Sequence, residues 1–222
     1  MRPRSHAAVL AALTIGLLAG CAEETGRPAG QASDRPAPQA TGEPWYDEVP
    51  AGAPGDGTVG GAGTPCPLPV SFPLAKGWKA KAVEVPTGEL AELLGDALTK
   101  RGGTTARCEV DGRSSGGGFL RVWATDQPGV APRAALEAFV AGTEDKLSGQ
   151  QFREVRAGAF EATEATWLAT STLIDEESRG WALAVRTEGP TLVITVSEGL
   201  IAERDDVLPA YRLATRGLAD AG

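Results

Sequence analysis

Histidine occurs once in the 222 residues, at His6, and methionine only at the first position. Nucleophilic catalysis through Ser-His-Asp or Cys-His pairs, and zinc or haem held by imidazole, would all have to use that one ring. There are five lysines, Lys76, Lys79, Lys81, Lys100 and Lys146, and none has a serine three residues before it, which removes a serine-lysine hydrolase. Cations are also scarce, 21 against 29 carboxylates for a net charge of −8. Nucleic-acid binding draws its affinity from clustered Lys and Arg, so it is disfavoured. The three cysteines include no C-x-x-C pair, and the acidic residues include no D-x-D-x-D-G calcium loop. Long apolar runs are absent too. The apolar run Ala7 to Leu18 is too short to cross a hydrocarbon core of about 30 Å.

That stretch follows Arg2 and Arg4, and a cationic start before a short apolar run reads as an export signal over residues 1–20. It ends in Leu18-Ala19-Gly20-Cys21, which resembles the lipobox of bacterial lipoproteins. The resemblance implies diacylglycerol on the Cys21 thiol, cleavage before it, and a mature protein held on the outer face of the membrane by acyl chains. Each buried CH₂ contributes about 0.8 kcal/mol, so two or three chains anchor a protein where one holds it marginally. The alternative is an ordinary secretory signal with a cysteine by chance near its cleavage site. Cleavage leaves 19 basic and 29 acidic side chains and no histidine.

Cys66 and Cys108 then remain, and outside the cytoplasm such a pair is expected to form a disulfide. By loop entropy it is worth about 4 kcal/mol. Two reduced thiols serving as metal or redox ligands are the rival reading.

Between Ala22 and Pro65 there are nine glycines and seven prolines and few large apolar groups, which is linker composition. Residues 21–65 are therefore expected to be a lipidated cysteine plus a disordered tether, with a reach of about 35–40 Å. Trp45-Tyr46, flanked by Asp47 and Glu48, is either a recognition peptide within the tether or packs back on the domain. Gly57 to Gly63 has no strand before it or helix after it, so a phosphate loop is not expected there.

Residues 66–222 are expected to form one folded domain. Val70 to Leu74 and Lys79 to Val85 predict a hairpin across Ala75 to Trp78. Leu90, Leu93, Leu94, Ala97 and Leu98 predict a helix over 88–100, ended by Gly102-Gly103. Thr104 to Val110 and Phe119 to Thr125 predict a hairpin with apolar groups on both faces. Pro132 opens a second helix that presents Leu136, Phe139, Val140 and Leu147 and closes at Gly149. Strands near 153–160, 165–173, 181–187 and 191–197, joined by short turns, predict an antiparallel run. A last helix from about Asp206 presents Val207, Tyr211, Ala214 and Leu218. The order is ββα-ββα-ββββ-α, an antiparallel sheet flanked by amphipathic helices in the α+β class.

The segment Phe72-Pro73-Leu74-Ala75-Lys76-Gly77-Trp78, the helix after the second hairpin, the run of strands and the closing helix resemble the PsbP-like α/β/α sandwich, which includes LpqN-type mycobacterial lipoproteins. This resemblance spans about residues 70–218 and implies an actinobacterial envelope lipoprotein that binds or assembles rather than catalyses. It brings no site motif with it.

The expected function is a membrane-anchored, non-enzymatic binding or assembly module for an envelope protein or small envelope ligand, without cofactor or metal. Trp78, Gly116 and Gly117 are the candidate binding surface, since Trp78 is expected in an exposed turn while Trp167 and Trp181 are expected in the core. One alternative is a glycan hydrolase using carboxylates such as Glu161 and Glu164 or Asp175, Glu176 and Glu177. The other is a solute receptor for a transporter, which a single domain without a closing second lobe disfavours.

Overall fold

The structure, a computed structural model, describes residues 42–84, 88, 95–143, 145–198 and 202–222. Cys21 and the expected signal lie outside these residues, as do Leu90, Leu93 and Leu94 of the first expected helix. Among the described residues no helix is long and apolar enough to cross a membrane.

The strands β3 (Lys79–Ala82), β4 (Lys100–Arg101), β5 (Thr104–Asp111), β6 (Phe119–Pro128), β7 (Lys146–Ala157), β8 (Phe160–Thr170), β9 (Glu177–Val185) and β10 (Pro190–Ser197) form an antiparallel sheet. Its order is β3-β5-β6-β10-β9-β8-β7, with β4 beside β5. β7 to β10 form a meander of short turns, and β10 then pairs with β6. The connection from β6 to the far edge carries helix α2 (Pro132–Ala141) across β8, β9 and β10. Helix α3 (Arg204–Arg216) crosses the opposite face. There it meets a small sheet of β1 (Pro54–Val59), β2 (Val70–Ala75) and β11 (Ala219–Asp220), in the order β1-β2-β11.

Strand alternation sorts the two faces by side-chain size. Ala106, Ala165, Ala169, Ala182 and Ala184 point to the α2 side, where small groups leave room for Leu136 and Phe139, with Trp123 and Trp167 filling the flanks. Leu120, Val122, Trp181, Leu183, Leu192, Ile194 and Val196 point the other way, into a larger core with Val70, Phe72 and Leu74 of β2 and Val207, Leu208, Tyr211 and Ala214 of α3. The fold is mixed α+β, and the hairpin β5-β6 carries apolar groups on both faces, as the sequence predicts. Cys66 and Cys108 are joined by a disulfide, with Cα atoms 5.6 Å apart.

Several expectations are corrected. β2 does not pair with β3; it lies between β1 and β11, because its alternating Val70, Phe72 and Leu74 belong to the α3 core, whereas β3 is the exposed edge of the large sheet. Ala97 and Leu98 are exposed rather than inward; the described helix here, α1, covers only Asp96–Thr99 before β4 begins. Helix α2 ends at Ala141, not Gly149. Gly142 donates its N–H to Ala138 and sits against Gly102, and Leu147 belongs to β7. Leu218 is buried just beyond the end of α3.

The largest correction concerns the expected tether. From Gly42 onward the chain is part of the folded body: β1 pairs along β2, and Gly52 donates its N–H to Pro209 of α3 at 2.8 Å. Proline and glycine in this stretch serve tight turns and close backbone approach rather than disorder.

Candidate functional site

At one end of the large sheet, the β8–β9 turn and the start of α3 border a groove of about 550 Å³. Ser171, Ile174, Glu176, Glu177, Ser178, Glu198, Ala202, Glu203, Arg204 and Asp205 line it. The turn is closed on itself by backbone bonds, Ser171 N–H to Glu176 and Asp175 N–H to Ser171, with Asp175 in the left-handed region at φ 52°. That closure turns two large apolar side chains outward, Leu173 at 92% and Ile174 at 55% exposure. The opposite wall is fixed where the Glu203 N–H donates to Asp206 at 2.9 Å and caps α3. Five carboxylates face the groove against the one cation Arg204, which pairs with Asp205 and stacks on the Tyr46 ring. Four of them, Glu176, Glu177, Glu203 and Asp205, are exposed and stay solvated.

A second constellation is buried. Glu164 on β8, 2% exposed, accepts from Arg153 Nε at 2.9 Å, from Arg212 Nη1 at 2.7 Å and from the Tyr211 hydroxyl at 3.3 Å. Arg153 also donates two parallel bonds of 2.6 Å to Asp47 and lies 4.1 Å from the Trp45 ring. Arg212 Nη2 donates to the Trp45 carbonyl at 2.6 Å, and the Trp181 indole N–H donates to that of Pro44 at 3.1 Å. Burial pushes the Asp47 carboxyl up, but the bonds from Arg153 and the charges of Arg153, Arg212 and Arg216 outweigh it and hold it below the ordinary range. The Tyr211 hydroxyl is pushed well up, first by burial and then by the Glu164 charge. Trp45 is therefore 6% exposed, and the Trp45-Tyr46 pair packs on the domain.

The expected surface around Trp78 is not assembled. Trp78 is 9% exposed because Gly112 and Gly117 lie flat on its indole; a Cβ at Gly112 would stand 2.2 Å from a ring atom, and one at Gly117 2.6 Å. Gly116 is exposed and Gly117 buried, so the three residues form a packed corner rather than a ligand face. Trp167 and Trp181 are core residues. Glu161 and Glu164 do not converge: three residues apart on one strand, they point to opposite faces, and the exposed Glu161 pairs with Arg156. Of the expected carboxylates, Glu176 and Glu177 do reach the groove. The groove's far wall, Glu198 and residues 202–205, carries no sequence signal beyond its charge. Among the described residues no group of three Asp, Glu, Cys or His side chains is placed to hold a metal ion.

The chain is thus an α+β protein with an acidic groove at one end of its sheet and a largely buried charge cluster. Residues 35–218 match a protein family described as an uncharacterised lipoprotein, and the chain belongs to that family. No curated protein matches it.

Proposed function

We propose that this protein is a non-enzymatic binding module of the cell envelope, anchored by lipid on Cys21 and facing outward, which recognises an envelope protein or small envelope ligand at the groove between the β8–β9 turn and α3. One observation carries the reading: a groove of about 550 Å³ lined by the exposed Ile174, with the exposed Leu173 next to it in the same turn. Groove and apolar tip together offer contact area and desolvation, the ingredients of recognition. The surplus of carboxylates favours a ligand that brings positive charge. The PsbP-like resemblance supports the same class of role, since both have helices on the faces of an antiparallel sheet. A glycan hydrolase is less well supported: a general acid needs a carboxyl raised by burial, and Glu176, Glu177, Glu203 and Asp205 lie in water.

The test compares the lipidated protein with an Ile174→Ser/Glu177→Lys variant in affinity capture from solubilised envelope. Both changes are on exposed side chains, so the fold is retained. A ligand held by the wild type and lost by the variant supports the reading. Equal retention by both, or turnover of envelope glycan by the wild type, contradicts it.

A further inference from the structure

The charge cluster, with Arg153 and Arg212 shielded and Arg216 exposed at its rim, is unbalanced in a way that points to a ligand. Three arginines, Arg153 of β7 and Arg212 and Arg216 of α3, surround Asp47; a fourth, Arg156, is engaged at the surface by Glu161. Glu164 neutralises one of the three. Asp47 neutralises a second, and it arrives on the segment Gly42–Val49 rather than on the sheet or α3. Without that segment, two positive charges would face an open cleft.

The hydrogen-bond inventory agrees. Arg153 Nη1 and Nη2 donate to the Asp47 carboxylate, Arg212 Nη2 to the Trp45 carbonyl, and Arg216 Nη2 to the Asp47 carbonyl at 3.4 Å. Arg212 Nε, on a side chain 5% exposed, donates to no group among the described residues. Arg153 Nη2 also donates to Glu164 at 2.5 Å, so four guanidinium nitrogens from three side chains depend on the segment or lack a partner. Planar guanidinium forks converging with two surplus charges match a tetrahedral dianion bearing several acceptor oxygens. Beside them lies a space of about 70 Å³, bounded by Asp47, Arg153, Glu164, Arg212 and Arg216. It has room for roughly two waters, so a larger anion fits only where the Asp47 carboxylate gives way.

We propose that Arg153, Arg212 and Arg216 form a binding site for a phosphate monoester, and that Asp47 is its resident surrogate, a carboxylate plug carried by the Gly42–Val49 segment and exchangeable for the ligand. The site is separate from the acidic groove and does not depend on the function assigned there.

The experiment is thermal unfolding of the mature protein in sodium phosphate and in sodium chloride of equal ionic strength, for wild type, Asp47→Asn and Asp47→Asn/Arg216→Gln. Phosphate is expected to raise the midpoint of Asp47→Asn by about 3–6 °C at ten times the dissociation constant. The wild type should shift less, because its plug competes, and the double variant least. A folded Asp47→Asn that neither responds to phosphate more than to chloride nor binds vesicles of phosphatidic acid overturns the proposal, as does an equal shift in all three proteins. If Asp47→Asn does not fold, the wild type decides: the amides of Trp45, Tyr46 and Val49 lose hydrogen-exchange protection in phosphate if the plug exchanges, and unchanged protection overturns it. Vesicles of phosphatidic acid against phosphatidylcholine distinguish the source. Binding to the former without a response to inorganic phosphate assigns the site to a lipid headgroup, and the reverse assigns it to a free phosphate compound.

Discussion

Asp47 and Arg153 are 106 residues apart in the chain and joined by two parallel hydrogen bonds of 2.6 Å each. Through this pair the segment before β1 is fastened to the edge strand of the large sheet, and Trp45 is enclosed beneath the guanidinium. Both side chains are largely shielded from water, so the pair is screened far less than a surface ion pair.

Replacing Asp47 with Ala is expected to cost about 2–4 kcal/mol, because it removes one of the two carboxylates that hold Arg153 in a half-buried site and leaves Arg153 Nη1 without an acceptor. Urea unfolding followed by tryptophan fluorescence measures the loss, and Trp45 should become solvent-accessible well before the main transition. A change below about 0.5 kcal/mol would mean that the segment is not held by this pair.

The same carboxylate predicts a pH dependence. Its folded pKa is depressed, so its stabilising contribution is complete above the unfolded value of about 4 and is lost as pH falls through the folded value. Glu109 behaves alike: burial pushes it up, but bonds and charges from Arg121 and Lys81 outweigh that. The stability gap between wild type and Asp47→Asn should be widest above about pH 5 and narrow toward pH 2. Glu109, common to both proteins, cancels from the difference. Unfolding series at several pH values test this, and a gap independent of pH contradicts it.

Two glutamates on β8 give a sharper contrast. Glu164→Ala removes the partner shared by Arg153, Arg212 and Tyr211 and should cost about 3–5 kcal/mol. Glu161→Ala, three residues away on the exposed face, should change stability by less than about 0.5 kcal/mol. Parallel denaturation curves suffice to compare them.

The Trp78 corner predicts an overpacking penalty. Gly112→Ala puts a methyl into the indole and is expected to destabilise by about 1–3 kcal/mol, partly relieved in Gly112→Ala/Trp78→Phe. Near-ultraviolet circular dichroism and thermal unfolding report both effects.

The regular elements were legible where period and length agreed. Strands β8 to β10, helix α2 from Pro132 and helix α3 announce themselves by alternation, by a first-turn proline and by an apolar stripe, whereas the strand expected over 153–160 is instead the end of β7, a tight turn and the start of β8. Composition misled in two places. Between residues 42 and 65, glycine and proline suggested a tether, yet Trp45, Asp47 and the β1 ladder depend on partners more than 100 residues away for the first two and on β2 for the third. Gly77-Trp78 suggested an exposed turn, but the glycines that bury the indole lie more than 30 residues downstream, where local sequence cannot show them. Glu164 was visible only as a carboxylate at the entrance of a strand, since only the fold reveals that Arg153 and Arg212 hold it. Half of the groove was visible as the acidic turn at 175–177, while its other wall comes from β10 and α3, which tertiary packing brings alongside.

The most direct test of the binding-module account places a photo-activatable cross-linking residue at Ile174, at the mouth of the groove, and for comparison at Glu161, about 30 Å away along β8. Irradiation of intact cells carrying the full-length protein is expected to give one discrete adduct from position 174 and none from position 161. No adduct from 174, or the same adducts from both positions, would contradict recognition at the groove.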